Sequence, residues 1–402
     1  MNEVVIADYL RTAQTRSRPA VPERDWFYRH RADELLARLI PEVLSRCRVD
    51  SAEIDDLIVG SALGVSEQWT FGGRTPVFLA GMDTRVAAKY IDQQCGSGLA
   101  AIQNGFLEIA AGFADMVLAC GMEHMTRVPM GPTLFENGAM SVNPALYDDD
   151  RYEYLDMATT MNMGLTAEKL ADLQGIEREE MDLWAVRSHQ RAAAATESGF
   201  FAGEIMPIAT MDEHGDPLMV VRDQAIRPET DLAGTASLRP VFKTDGRVTA
   251  GNASPLSAGA ATMLLTTKDI AAEKNLTPLA TIRSIGFAGV DPTLMGVGPV
   301  PATQMALDKA GLKAEDIDVW EINEAFSVVV LNCIRELNID PDKVNIHGGG
   351  IALGHPLGAT GIRITGTLAR IMQRENYRFG CANACIGGGQ GISIILERTP
   401  NS

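Results

Sequence analysis

The chain has 402 residues, 46% of them apolar and 22% charged, which describes a folded protein too long for one hydrophobic core. Its 35 Lys and Arg against 52 Asp and Glu leave a net charge of −17, which excludes non-specific binding to nucleic acid or an anionic membrane, though not a local anion site. Six scattered cysteines without CxxC spacing argue against zinc and against a disulfide framework, and they point to a reducing cytoplasm.

In chain order, "NEVVIADY" predicts a strand and not a signal peptide, because it has no basic start or apolar core. "ADELLARLIPEVLSRC" (32–47) reads as an amphipathic helix, and "DDLIVGSA" as the next strand. "DQQCGSGLA" (92–100) then sets Cys95 before Gly-Ser-Gly at the start of a helix, and "DMVLACG" is a third strand. From 123 to 246 the pattern changes: a polar patch "YDDDRYEY", a helix with its start at Thr166 and its stop at Gly175, a second helix "REEMDLWAVRSHQRAAAATESG", then polar loops. An insertion of that length is usually functional, and it reads as a lid or ligand-binding domain. "AATMLLTT" resumes the strands, and the helix "ATQMALDKAGL" follows. No apolar run approaches the ~18 residues of a membrane span. Strands this apolar, alternating with helices, describe an α/β protein whose strands are buried on both faces.

The chain also repeats itself. "SAEIDDLIVGSA" (51–62) resembles "KAEDIDVWEINEA" (313–325), each after an amphipathic helix. The 262-residue offset between Ala52 and Ala314 carries Cys95 into the Gly-rich "GHPLGATG", and "SPLSAGAATMLLTTKD" parallels "CIGGGQGISIILERT". The expected units are 1–122 plus 247–270, an inserted domain at 123–246, and 271–402.

Four motifs could carry chemistry. A helix N-terminus offers Cys95 free N–H groups and a positive dipole end, which favour thiolate over an inert buried thiol. His355, between Gly354 and Pro356, sits at the equivalent turn of the second half and suits proton exchange with a thiol, with His347 as a competitor. Cys385 precedes "IGGGQG", whose N–H groups could stabilise an oxyanion; a redox pair with Cys381 is the weaker reading. In "EINEAFS", Asn323 and Glu324 either cap the next helix or, for Asn323, position a water or carbonyl. If the halves face each other, these groups meet in one acyl-transfer site.

These motifs resemble the thiolase family along nearly the whole chain, from "VVIADYLRT" through "CGSGL", "GMEHM", "MGLTAE", "TAGNASPLSAGAA", "NEAF" and "GGGIALGHPLGATG" to "CIGGGQGISIILER". The resemblance implies a layered αβαβα fold of two duplicated βα halves with an inserted loop domain. It implies CoA-dependent cleavage of 3-ketoacyl-CoA to acetyl-CoA and a shortened acyl-CoA, as in fatty acid β-oxidation. Cys95 would carry the acyl group, His355 would hold it as thiolate, and Cys385 would act as acid and base. His355 with a water on Asn323 would form one oxyanion hole, and the amides of Cys95 and Gly387 the other.

By family position, Arg227 lies near the nucleotide end of CoA and Ser254 contacts its pantetheine. Met163, Met295, Ala325 and Phe326 would line the acyl channel. CoA would be a substrate, with no resident cofactor, and the assembly a homodimer or homotetramer, with a complex of β-oxidation enzymes left open. Acetyl-CoA C-acetyltransferase activity, a decarboxylating condensing enzyme and a non-catalytic thiolase-like lipid-binding scaffold are the alternatives; Cys385 argues against the second, and the presence of Cys95, His355 and Cys385 against the last. Three positions depart from the family's usual residues: Asp92 for Asn before the nucleophile, His347 for Asn, and Asn162 for the His of short-chain biosynthetic members. Asn162 leans toward the degradative branch. The segment 23–35 has no counterpart in this reading.

Overall fold

The computed structural model describes residues 1–128, 130 and 140–399; the stretch "GPTLFENGA" of the expected inserted domain lies outside the described residues. The strands are β1 (Val4–Arg11), β2 (Thr15–Arg16), β3 (Asp56–Gly60), β4 (Ala87–Ile91), β5 (Met116–His124), a separate hairpin of β6 (Ile208–Met211) and β7 (Pro217–Val220), then β8 (Ser257–Thr267), β9 (Ala280–Gly289), β10 (Val319–Ile322), β11 (Phe379–Ile386) and β12 (Gln390–Arg398). The helices that position the site are α1 (Ala32–Cys47), α2 (Ser97–Ala111), α3 (Met163–Gln174), α4 (Arg178–Glu197), α5 (Pro299–Ala310), α6 (Ser327–Glu336) and α7 (Leu357–Glu375).

Nine strands run in the order β10-β11-β12-β9-β1-β8-β5-β3-β4, with β2 alongside β8. The sheet narrows in the middle, where β1 and β9 pair only through Val5 with Thr281 and Ile6 with Ala280. On either side of that seam the pattern is the same: a parallel pair (β3 with β5, β10 with β11) followed by antiparallel neighbours. The register repeats as well. Gly60 faces Gly121 in one half and Ile322 faces Asn383 in the other, each member related by the same 262-residue offset.

Layering follows from burial. Every residue of β5 and β8 is buried, as it must be in strands that helices cover on both faces. α1 lies against β1, β5 and β8 on one outside, and α5 against β9, β11 and β12 on the other. Between the sheets lie α2 and α7, with α7 touching strands of both halves. That makes five layers, α-β-α-β-α. The two central helices cross at backbone distance: a Cβ on Gly98 would sit 2.5 Å from the Gly358 carbonyl oxygen, and one on Gly358 would sit 2.3 Å from that of Gly60. Only glycine allows this approach, and it draws the N-terminal turns of both helices into one place.

One boundary differs from expectation. α3 begins at Met163, not at Thr166, because the Asn162 side chain accepts hydrogen bonds from Gly164 and Leu165 N–H at 3.1 and 3.2 Å and caps the helix. Gly175 ends it in the left-handed conformation.

Candidate active site

Cys95 sits on a single 3₁₀ turn, Gln94–Gly96, between β4 and α2. The Asp92 carboxylate accepts the Gln94 N–H at 2.9 Å, and Gln94 takes a left-handed φ of 48°, a costly conformation for a side-chain-bearing residue. Ser97 locks the turn, its Oγ accepting from Gln93 N–H and donating to the Gln94 carbonyl. The sulfur meets the amides of Gly387 and of Cys95 itself. Even so, burial pushes the thiol up to about 11, with the Glu123 and Asp92 carboxylates adding to the rise. The amides and the helix end are present, but loss of water outweighs them.

His355 is held at every ring position. Its backbone N–H donates to Ser257 Oγ at 3.0 Å, and Gly354 before it has a φ of 115°. Nδ1 lies 2.7 Å from Thr360 Oγ1, whose own proton goes to the Pro356 carbonyl at 3.0 Å. Thr360 therefore accepts, Nδ1 carries the hydrogen, and Nε2 is left as a lone pair facing Asn323 Nδ2 at 3.3 Å. Burial, and after it the charge of Arg363, lowers the imidazole to about 3, so the ring is neutral. Asn323 Oδ1 is buried without a partner among the described residues, which is the lone pair a bound water would satisfy. Neither Asn323 nor Glu324 caps a helix: α6 starts after Phe326, which makes no side-chain capping bond.

Cys385 is fully buried on β11 and is pushed well above the usual thiol range by burial, then by the proximity of Cys95 and Cys333. It shares an apolar cluster with Met295, Ala325 and Phe326, against which Met163 packs. Met163 Sδ would stand 3.1 Å from a Cβ on Gly387, so that loop and α3 touch. Cys381 belongs elsewhere: four residues of extended strand separate it from Cys385 by ~13 Å, beyond disulfide reach, and its sulfur contacts Ser393 Oγ. Ser254 reaches the same site from another side, its N–H and Oγ both donating to the Ala325 carbonyl at 3.0 and 3.1 Å. Arg227 is exposed, with its backbone N–H donating to His189 Nδ1. The competitor His347 packs on Phe200 at 4.1 Å between ring centroids and has no contact with the Cys95 or His355 groups.

Two buried carboxylates brace the site, Glu324 in place of the helix cap expected of it and Glu123 in a role the sequence does not suggest. Glu324 accepts from Trp184 Nε1, Ser188 Oγ, Asn345 Nδ2 and the Ile351 N–H, tying α4 to the loop that leads into His355. Glu123 accepts from the Ala62 and Gly358 N–H groups and from Gln68, tying β3 to the start of α7; burial raises it to about 7 despite these donors. Both stand inside quoted motifs, "GMEHM" and "NEAF", but a glutamate's place there carries no sign of its partners. The segment 23–35 also acquires a reason. Buried Asp25 accepts from Thr15 Oγ1, Thr126 Oγ1 and Phe27 N–H, pinning that segment to β2 and to the end of β5.

A five-layered fold with a cysteine, a neutral histidine, a second cysteine and an amide around glycine turns defines a thiolase. The family model of the thiolase N-terminal domain matches residues 4–269 and that of the C-terminal domain residues 276–398, and the chain belongs to this family. It is 44% identical to the 3-ketoacyl-CoA thiolase of Saccharophagus degradans, over 98% of each chain. It is also 44% identical to that of Yersinia enterocolitica, over 99% of this chain and 100% of the other. Its structure is similar to human mitochondrial 3-ketoacyl-CoA thiolase, with a TM-score of 0.87, 36% identity and 99% of each chain covered. The same human enzyme in complex with CoA gives a TM-score of 0.86 at 35% identity, covering 99% of this chain and 98% of that one.

Proposed function

We propose that this chain is an acetyl-CoA C-acyltransferase that cleaves 3-ketoacyl-CoA with CoA, releasing acetyl-CoA and an acyl-CoA shortened by two carbons, a step of fatty acid β-oxidation. The observation that carries the reading is a neutral His355, its Nε2 lone pair facing Asn323 Nδ2, in the same site as a neutral, buried Cys95 that meets the Gly387 amide. Such a pair stores no charge at rest. His355 takes the thiol proton as sulfur attacks the 3-keto carbon, and the alkoxide falls between the amides of Cys95 and Gly387.

Collapse of that alkoxide breaks the C2–C3 bond and leaves the acyl group on Cys95. The departing enolate oxygen meets His355, now N–H at Nε2, and a water on Asn323 Oδ1, while Cys385 delivers the proton to C2. Cys385, now thiolate, then takes the proton of incoming CoA, whose sulfur attacks the Cys95 thioester; the bond to Cys95 breaks, the expelled sulfur takes its proton back from His355, and acyl-CoA leaves. Met163, Met295, Ala325 and Phe326 line the acyl channel, and Ser254 and Arg227 bind CoA.

The division into 1–122 plus 247–270, an inserted CoA-binding domain at 123–246, and 271–402 belongs to the same reading. So does a homodimer or homotetramer, supported by the unpaired outer edge of β4 and by exposed Trp69, Phe71, Phe78 and Leu79 in neighbouring segments. Cytoplasmic residence is supported by the six free cysteines. No helix among the described residues is long and apolar enough to cross a membrane.

The test is thiolysis of acetoacetyl-CoA and of a 3-keto-C10 acyl-CoA, followed by loss of the enolate absorbance. Comparable kcat/KM on the long substrate supports the proposal. Turnover of acetoacetyl-CoA alone makes the chain an acetyltransferase, and turnover of neither, with Cys95 still alkylatable, makes it a non-catalytic thiolase.

A further inference from the structure

A cleft of about 340 Å³ opens beside Ser254, walled by Arg16, Arg18, Ala250, Ala253 and Leu256. Fully buried Arg11 and Arg363 each meet a carboxylate, whereas half-buried Arg16 and Arg18, which wall the cleft, and exposed Arg227 form no ion pair among the described residues. Nε of Arg18 is buried without a hydrogen-bond partner. Burial first, then the charge of Arg227, then that of Arg18, lower Arg16 to about 10, so the Arg16 guanidinium feels both other charges. The nearest buried acid on this segment, Asp25, is occupied by hydroxyls and a backbone N–H.

The backbone under these side chains is fixed. Arg16 N–H donates to Gln224 Oε1 at 2.9 Å, Arg18 N–H donates to Thr126 Oγ1 at 2.8 Å, and Arg16 pairs across the sheet with Ser257. Ser257 is the residue that accepts the His355 amide, so the basic cleft sits one strand from the catalytic histidine. Like charges facing one cleft favour a bound anion, and guanidinium forks suit phosphate oxygens.

We propose that Arg16 and Arg18, from the segment after β1, bind the phosphates of the CoA handle together with Arg227, and that they make the enzyme select CoA thioesters over the same acyl group on bare pantetheine. The proposal rests on the thiolase reading above and adds to it two residues of the first half that the insertion does not contain. A free nucleotide could use the same chemistry, and the experiment separates the two sources.

The experiment compares wild type, Arg16→Gln, Arg18→Gln and the double variant, with thermal melting to establish that each is folded. Acetoacetyl-CoA and acetoacetyl-pantetheine are the substrates, and CoA binding is measured by titration calorimetry. In the double variant, KM for acetoacetyl-CoA should rise on the order of tenfold or more at unchanged kcat, with the pantetheine substrate unaffected. CoA affinity should fall in parallel, and Arg18→Lys should recover part of it. An unchanged KM for the CoA substrate overturns the proposal, as does an equal loss on both substrates, which marks a structural role. Weaker ADP binding in the double variant with CoA kinetics intact also overturns it, in favour of a separate nucleotide site. If folded wild type turns over neither substrate, the catalytic reading fails, and calorimetry with CoA still decides the arginines' role.

Discussion

Replacing Thr360 with valine tests the state assigned to His355. Valine keeps the shape of threonine but removes the only acceptor of the Nδ1 hydrogen among the described residues, Oγ1 at 2.7 Å. The Pro356 carbonyl is not orphaned, since it also accepts the N–H groups of Ala359 and Thr360 at 2.9 Å. The cost therefore falls on the ring. A buried N–H without a partner costs about 1–3 kcal/mol, so the Nδ1–H tautomer is disfavoured by that amount. The ring turns to the Nε2–H form, which opposes Asn323 Nδ2 and cannot take the Cys95 proton. Converted at about 1.4 kcal/mol per tenfold, the competent population drops about five- to 150-fold. Rapid-quench measurement of the Cys95 acyl-enzyme should show a loss in that range, with Thr360→Ser restoring the rate. Acylation within twofold of wild type, in a variant of unchanged melting temperature, would refute the tautomer assignment.

Three further outcomes follow from the same geometry. Asp92→Asn retains the oxygen that accepts the Gln94 N–H but removes a charge that raises the thiol, so the pH midpoint for iodoacetamide labelling of Cys95 should move down; an unmoved midpoint counts against Asp92 as a cause. Glu123 has a folded pKa of about 7 against 4.5 in the open, so the folded state keeps a proton that the unfolded chain has lost. Its contribution is full below pH ~4.5 and falls by about 3 kcal/mol as pH rises to ~7. Urea titrations should show Glu123→Gln flattening that slope, and an identical slope would contradict the assignment. Asn162→Ala removes the cap of α3 and should lower stability by about 1 kcal/mol in the same titration; no change would mean the cap contributes nothing.

How much of this was legible depended on whether the cause was local. α1 runs from Ala32 to Cys47, as its amphipathic pattern predicts, and β5 and β8 follow their apolar runs. The start of α3 was misplaced because Met163 and Gly164 read as motif, although Asn162 before them is a sequence-visible cap. Cys95, His355 and Cys385 stood out because glycines flank each of them, and the repeat supplied the argument that the Cys95 and His355 turns meet. Thr360, Ser257 and Glu324 were silent. Ser257 lies 98 residues from the amide it holds, and Glu324 27 from one of its donors, and nothing in a serine or a glutamate announces such a partner. The Cys95 thiol is a related case. A helix start is visible in a sequence, but the depth of burial that overrides it is a property of the packed halves.

The repeat also accounts for the division of labour at the site. The offset that superposes the strand registers carries Glu123 onto Cys385, Ser61 onto Asn323 and Cys95 onto Leu357. In the first half, Ser61 Oγ donates to Glu123, which also accepts the Gly358 N–H, so the ends of β3 and β5 hold the N-terminus of α7. In the second half the matching ends of β10 and β11 face the turn that begins α2, but they bear Asn323 and Cys385, which meet His355 and the neighbourhood of Cys95. The same junction is therefore built twice, once as an anchor and once as a reaction site. The anchor is what keeps the reaction site narrow: releasing Glu123 from Gly358 would free α7, and with it His355, to drift from the sulfur. A drift of about 1 Å there is enough to cost on the order of 10²-fold in rate.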